Sequence, residues 1–441
     1  MFGTSGIRGR IGEAVTADVA LSVGRAVAAD GAARVVVGRD PRESGEMLRD
    51  ALVAGLRESG ADVVDLGLAA TPTVARHVGW QDADAGVSIT ASHNPAPDNG
   101  LKLWTPSGQA YDADQREAIT ERITEERFDL AAWDGLGASR RVEDADATHR
   151  RALVEAVDQD LAAAADLSVA VDVGNGAGGV TADALEALGC HVETLNAQPD
   201  GRFPARPSEP TAENCASLRA HVAATDADLG IAHDGDADRM LAVDADGEWI
   251  PGDALLALFA LREAGEGDEV ATPVDTSLLV DDALASVGAS VVHTKVGDVY
   301  VAERANAPGV AFGGEPSGAW IWPDETLCPD GPLAACKLVE LVAGEGPLAA
   351  QVADLPRYPI RRANVEVEDK AARMERVAER VRERFDSVTT IDGVRAETDE
   401  GWLLVRASGT QPLIRVTAEA RDEQRAEELA ALGRDLIEAA G

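Results

Sequence analysis

The sequence predicts an α/β protein with three similar doubly wound units and a smaller C-terminal α+β unit. Three observations predict this. Short apolar runs alternate with helical stretches from about residue 34 to residue 313, the pattern of a mostly parallel sheet. The alternation restarts near Ser168 and again near Asp253, and 441 residues with 45% hydrophobic content exceed what one core needs. Beyond Pro356-Arg357-Tyr358-Pro359, read as a linker, helices and strands group separately. The expected units are residues 1–147, 148–250, 251–356 and 357–441.

The elements follow in order. Residues 2–9 are too glycine-rich for a helix and carry Arg8 near their end. Thr16 caps an alanine- and valine-rich helix that Gly31 stops. Residues 34–37 form a strand, 44–59 a helix and 62–66 a strand. The run 85–89 reads as a buried strand ending in Thr90-Ala91-Ser92-His93-Asn94-Pro95, a polar turn stopped by proline. A serine there stands at a strand's carboxyl end, where α/β sheets put their chemistry. Residues 101–104 make another short strand, and the charged stretch 112–146 contains helix. The second round has strand 168–173, helix 178–188, strand 191–195 and the run 229–232. The third has strands 269–273, 290–294 and 309–313. The last unit has a charged helix 370–385, strands 401–408 and 413–418, and a helix from Glu423.

Charge bounds the partners. Acidic residues outnumber basic ones 78 to 40, for a net charge of −38, so nucleic acid and anionic membrane are excluded as partners. The acidity is spread along the chain, and lysine occurs only at Lys102, Lys295, Lys337 and Lys370. Such a surface reads as halophilic adaptation, its self-repulsion screened within a few Å at high salt. Four cysteines without C-x-x-C spacing indicate neither a disulfide framework nor a zinc site. The first residues lack the apolar stretch of a signal peptide, and the run 254–261 is too short to span a bilayer, so a cytoplasmic location is expected.

Several stretches carry chemistry. Asp234, Asp236 and Asp238 put three carboxylates at alternate positions in a loop after a strand. Their repulsion costs free energy unless a cation offsets it, and all-oxygen ligation suits Mg²⁺; a solvated acidic turn is the alternative. An EF-hand does not fit, because its glycine position is Arg239 and its final glutamate position is Ala245. Arg406-Ala407-Ser408-Gly409-Thr410-Gln411-Pro412 and Arg415 form a turn offering backbone N–H groups, hydroxyls and two guanidiniums, a phosphate site in kind. Gly174-Asn175-Gly176-Ala177-Gly178-Gly179 matches G-x-G-x-x-G with Glu193 in the next strand, which alone would suggest an NAD-dependent oxidoreductase. It lies mid-chain and leaves the other motifs unused; a tight βα turn accounts for it equally well.

Together, the Ser92 turn, Asp234-Gly235-Asp236-Ala237-Asp238-Arg239 and the Arg406 turn resemble the α-D-phosphohexomutase superfamily. The resemblance covers the whole layout and implies four domains around a central cleft. It implies that Ser92 is the phosphorylated residue, and that it binds one Mg²⁺ together with Asp234, Asp236 and Asp238. Arg239 would face the phosphates, and Lys102, His93 and Arg8 would handle protons and charge near Ser92. Lys295 lies in a loop the family uses. Gly314-Glu315-Pro316-Ser317-Gly318, expected after a strand, resembles its sugar loop, with Glu315 and Ser317 meeting ring hydroxyls; Ala319 stands where most members have histidine. Arg406, Ser408, Gly409, Thr410 and Arg415 would bind phosphate, with Gln411 where the family usually has glutamate. The reaction implied interconverts hexose 6- and 1-phosphates, with a hexose 1,6-bisphosphate as intermediate and activator, in a monomer or homodimer. The opening Phe2-Gly3-Thr4-Ser5-Gly6-Ile7-Arg8-Gly9 is similar to that of phosphoglucosamine mutases, so glucosamine phosphate is the expected substrate. Phosphomannomutase/phosphoglucomutase activity is the alternative, and a phosphosugar-binding protein without turnover is a weaker one.

Overall fold

The computed structural model describes residues 2–3, 6–408 and 412–440. The first sheet has six strands in the order Ile7–Arg10, Asp98–Trp104, Ala85–Ile89, Arg34–Arg39, Asp62–Leu68, Ser139–Arg141. Its centre is parallel, built from β-branched runs such as Val35-Val36-Val37 that are buried on both faces. The strand Ala85–Ile89, however, pairs antiparallel with Asp98–Trp104. Ser92 lies in the hairpin between them.

The same device recurs. In the second sheet Ser168–Asp172 lies parallel between His191–Leu195 and Leu229–His233, and Leu229–His233 returns antiparallel as Met240–Asp244. In the third, Glu269–Pro273 is parallel to Ser290–Thr294 and Val310–Glu315, and Val310–Glu315 returns as Ala319–Ile321. The strand Val310–Glu315 is longer than expected, so Gly314 and Glu315 belong to it rather than following it. The fourth sheet is wholly antiparallel, with five strands where two were expected: Ile360–Glu366, Leu413–Ala420, Gly401–Ala407, Val394–Thr398 and Ser387–Thr389. Helices Lys370–Arg384 and Glu423–Ala439 close its core. Each of the four units thus contains an antiparallel hairpin that carries one of the Ser92, Asp234, Glu315 and Arg406 stretches.

Packing joins the units. One continuous apolar core runs from Val169 and Val171 in the second unit to Phe259, Phe312 and Trp320 in the third. Helix Gly331–Glu345 lies within that core, its Leu333, Leu338 and Val339 completely buried. The fourth unit docks on the third through Trp402 and Leu404 against Val274. There, buried Glu419 accepts hydrogen bonds from Ser277 Oγ and the Leu278 N–H, both at 2.6 Å. Among the described residues, no helix is long and apolar enough to cross a membrane.

Candidate active site

Ser92 is 1% exposed and has a left-handed backbone, φ 51°. A non-glycine residue is held there only by strong local bonding. That bonding is a chain of donors. The Ser92 N–H donates to Thr90 Oγ1 (2.8 Å), which donates to Asp40 Oδ2 (2.8 Å), which also accepts from Arg42 Nε (2.9 Å). The other arms of the Arg42 guanidinium donate to the carbonyls of Ser92, Asn94, Pro95 and Asp98 at 2.7–2.9 Å. Every N–H of that side chain is therefore used to fix the serine loop. Sequence reasoning missed Asp40 and Arg42; Asp40 ends a strand as Ser92's loop does, and that was the only signal.

The second unit closes on this loop. Ser208 Oγ donates to the Ser92 carbonyl (2.8 Å), and the Phe203 ring stacks 5.0 Å from the Arg42 guanidinium. A Cβ on Gly235 would lie 2.6 Å from Ser208 Oγ and 2.9 Å from the Ser92 carbonyl oxygen, so only glycine permits the approach. Across this contact Ser92 Oγ donates to Asp234 Oδ2 (2.6 Å) and lies 3.4 Å from Asp238 Oδ1.

Asp234, Asp236 and Asp238 are buried, each offering an oxygen within 4.8 Å of the others. Burial and then the neighbouring carboxylates push Asp234 well above the ordinary range, and burial and Asp236 raise Asp238. Asp236 goes the other way. Burial opposes its charge, but Lys102 and the Thr71 hydroxyl outweigh that. Lys102 Nζ is 3.0 Å from Asp236 Oδ2 and is also paired with Asp238. Burial works against the ammonium, yet those carboxylates raise its pKa. Asp236 Oδ1 is buried with no hydrogen-bond partner among the described residues. An orphaned oxygen among converging carboxylates, with Ser92 Oγ beside them, fits a hard divalent cation.

The other expected residues distribute as follows. His93 Nδ1 stands 3.5 Å from Ser92 Oγ; burial, then the Arg239, Arg8 and Lys102 charges, lower the imidazole to about 3, so it is neutral at neutral pH. Arg8 sits on the strand paired to the lysine strand, opposite Gly100. Arg239 is partly buried, and its charge is supported against burial by Asp234 and Asp238. Its backbone bridges to Ala319, so the position that lacks the family's histidine lies beside the aspartate loop. Glu315 Oε1 accepts the Gly297 N–H (2.7 Å) and Oε2 accepts from Ser317 Oγ (3.1 Å). Burial, then Asp298, push Glu315 up to about 7.

Lys295 is exposed, 5.2 Å from the Tyr300 ring. The next residue reaches the fourth unit: the Val296 N–H donates to Asp392 Oδ2 (3.3 Å), which also accepts from Arg406 Nη1 (2.7 Å). Arg406 faces Arg415 directly across the hairpin. Two guanidiniums at one cross-strand position repel unless an anion lies between or above them. Ser408 closes the hairpin, its N–H donating to the Leu413 carbonyl (2.9 Å); Gly409 and Thr410 lie outside the described residues.

The glycine loop at 174–179 has another use. The Ala177 N–H donates to the Gly235 carbonyl (3.0 Å), and a Cβ on Gly176 would lie 2.7 Å from that oxygen. The face a pyrophosphate would approach is filled by the aspartate loop, while Glu193 lies on the far edge strand, paired with His221. The glycines serve close packing, so the oxidoreductase reading falls.

Comparison with known proteins agrees with this geometry. Residues 1–130, 147–247 and 251–358 match the models of the alpha/beta/alpha domains I, II and III of phosphoglucomutase/phosphomannomutase, and residues 363–435 match its C-terminal domain. A probable phosphoglucosamine mutase of Methanopyrus kandleri is 47% identical over 97% of this chain and 95% of its own. One of Methanococcoides burtonii is 46% identical, with 96% and 95% covered. The crystal structure of a phosphoglucomutase/phosphomannomutase family protein from Burkholderia thailandensis superposes with a TM-score of 0.87 at 30% identity, covering 100% of this chain and 98% of that one. With its four hairpins matched to four domain models along nearly the whole chain, this protein belongs to the phosphoglucomutase/phosphomannomutase family.

Proposed function

We propose that the protein is a phosphohexomutase that uses phosphorylated Ser92, with glucosamine 6-phosphate and glucosamine 1-phosphate as its preferred pair. The observation that carries the mechanism is the contact of Ser92 Oγ with Asp234 at 2.6 Å, across two units, inside a buried set of three carboxylates. Ser92, Asp234, Asp236 and Asp238 would hold one Mg²⁺, which would supply charge neutralisation for the transferring phosphoryl.

The chain's own residues do the rest. Arg42 and Asp40 fix the serine loop, so the phosphoryl donor is held still before substrate arrives. The substrate's free hydroxyl forms a new P–O bond as the bond to Ser92 Oγ breaks, giving a 1,6-bisphosphate. That intermediate turns over and returns its other phosphoryl to Ser92. In the first transfer the attacking sugar hydroxyl loses a proton and the serine oxygen gains one; in the return transfer the serine hydroxyl loses a proton and the leaving sugar oxygen gains one. His93, whose Nδ1 stands 3.5 Å from Ser92 Oγ, and the cations Lys102 and Arg8 are the groups assigned to handle protons and charge there. Glu315 and Ser317 hold ring hydroxyls; Arg239, Lys295, Arg406, Ser408, Gly409, Thr410 and Arg415 hold the phosphate that is not reacting. Its charge and size are the same for either sugar orientation, so one clamp serves both half-reactions.

Two lines favour glucosamine: the opening Phe2-Gly3-Thr4-Ser5-Gly6-Ile7-Arg8-Gly9, and relatives over 40% identical that are named probable phosphoglucosamine mutases. The test is a coupled assay at high salt, with trace bisphosphate as activator, against glucosamine, glucose and mannose phosphates. A kcat/KM at least tenfold higher for mannose or glucose phosphate, about 1.4 kcal/mol, would reassign the substrate and keep the mutase. No turnover of any of the three would overturn the reading.

A further inference from the structure

We infer that Thr71 is a positioning residue for the metal: with Lys102 it occupies one oxygen of Asp236, so that the other is presented to the cation. The assignment rests on the magnesium reading above. Thr71 opens helix Thr71–Trp80 of the first unit and is 1% exposed. Its Oγ1 donates to Asp236 Oδ2 at 2.6 Å, and its backbone N–H donates to the Asp236 carbonyl at 2.9 Å. One residue of the first unit therefore grips both the side chain and the main chain of a residue in the second. The same Oδ2 accepts from Lys102 Nζ at 3.0 Å, while the buried Oδ1 has no partner among the described residues. With both donors on Oδ2, the carboxylate cannot turn without breaking two buried hydrogen bonds. Oδ1 is left as the uncommitted oxygen of a carboxylate that lies with those of Asp234 and Asp238.

The helix that carries Thr71 is itself anchored. Arg76 Nε donates to Asp330 Oδ2 (2.7 Å), an oxygen that His149 Nε2 also approaches at 3.2 Å. Asp330 in turn caps helix Gly331–Glu345, whose Gly331 N–H donates to the Ala237 carbonyl at 3.2 Å. The aspartate loop is thus held by helix starts from two other units, one at Asp236 and one at Ala237. Ala237 has φ 56°, a left-handed value that a lone loop would relax. Valine matches threonine in shape but cannot donate, so the hydroxyl can be tested apart from the packing. Outer donors to ligating carboxylates change metal affinity by about 10–100-fold.

The experiment is titration of the full-length protein, without substrate, with Mg²⁺ by calorimetry and with Mn²⁺ by the free-ion electron paramagnetic resonance signal. Thr71→Val, folded by circular dichroism, should bind either ion about tenfold more weakly or worse, and Thr71→Ser should stay within about threefold of wild type. Wild-type affinity in Thr71→Val overturns the assignment. If the valine variant does not fold, Thr71→Ala is judged by the same criterion. In every case a tenfold loss in Thr71→Ser, which keeps the hydroxyl, also overturns it. If the unaltered protein binds neither ion, or Asp236→Asn binds as tightly as wild type, the magnesium reading itself falls and takes this role with it.

Discussion

The two ends of the site are built differently. At the Ser92 end the serine, the aspartates and the groups that hold them are buried, and several of them bond across units. Arg42 uses all its donors on one loop, Thr71 and Ser208 bond across to neighbouring loops, and the aspartates are sealed from water. At the Arg406 end the arginines are reached by solvent: the Arg406 side chain is 23% exposed and Arg415 is exposed, and near the turn Asp392 links Arg406 to the third unit. Chemistry needs the first arrangement, because phosphoryl transfer depends on donors and charges fixed before the reaction. On the proposed mechanism, holding either phosphate of a bisphosphate would call for the second, because the bisphosphate must be released, turned and caught again. On the proposed mechanism the difference should separate groups that set kcat from groups that set KM.

The strongest break of that contrast lies at Ser92. Ser92→Ala should lower kcat by about 10⁴-fold or more, and intact-protein mass should show no phosphorylation at this loop. A rate within tenfold of wild type would remove the covalent step. Next comes the scaffold. Arg42→Met leaves the buried Asp40 without its ion pair, and should cost about 3–5 kcal/mol of stability in chemical denaturation, since one member of a buried pair is then uncompensated. Arg406→Ala should stay within about 1 kcal/mol, its partner being reached by solvent. Equal losses in the two variants would erase the distinction between a fixed and a loose end. In kinetics the order reverses. Arg406→Ala and Arg415→Ala should each raise KM about tenfold or more for all three hexose phosphates alike, with kcat changed by less than about threefold, as loss of a charge-assisted hydrogen bond predicts. A fall in kcat with KM unchanged would place both arginines with the chemistry.

What the sequence made legible follows the same division. Ser92 and the aspartate triad could be picked out because each sits at a strand end or a charge cluster, signals local in sequence, and Lys102 because lysine is scarce in this chain. Asp40, Arg42, Thr71 and Ser208 could not: their partners are 50 to 165 residues away, and a hydrogen bond across that separation leaves no spacing to read. The hairpin returns Met240–Asp244 and Ala319–Ile321 were missed because they are short apolar runs with no helix before them. Ile360–Glu366 was missed because an edge strand with Arg361, Arg362 and Glu366 on it does not look apolar. The glycine loop at 174 gave a local pattern with two uses, and only the packed position of Gly235 decides between them.

The smallest effect is expected where the loose end meets the rest, at Asp253. Its Oδ1 accepts the Ser277 N–H at 2.9 Å, next to the helix start that Glu419 of the fourth unit also holds. Burial raises Asp253 to about 6; the Ser277 hydrogen bond works against this, and the nearby Glu419 and Asp275 add to it. The sign follows from the folded value lying above the unfolded one. The folded state binds the proton more tightly, so stability from the neutral carboxyl is complete below about pH 4 and is lost as pH rises through about 6. Asparagine keeps an oxygen for the Ser277 N–H and never charges. Asp253→Asn should therefore leave the melting temperature unchanged at about pH 3.5 and raise it at pH 7.5. The gain is on the order of 1 kcal/mol, or a few degrees, because the shared hydrogen bond persists in both forms. Calorimetry at constant high salt reads both values. The same shift at both pH values would show that the carboxyl carries no charge penalty at this junction, and that the loose end is fixed by apolar contact at Trp402 and Leu404 instead.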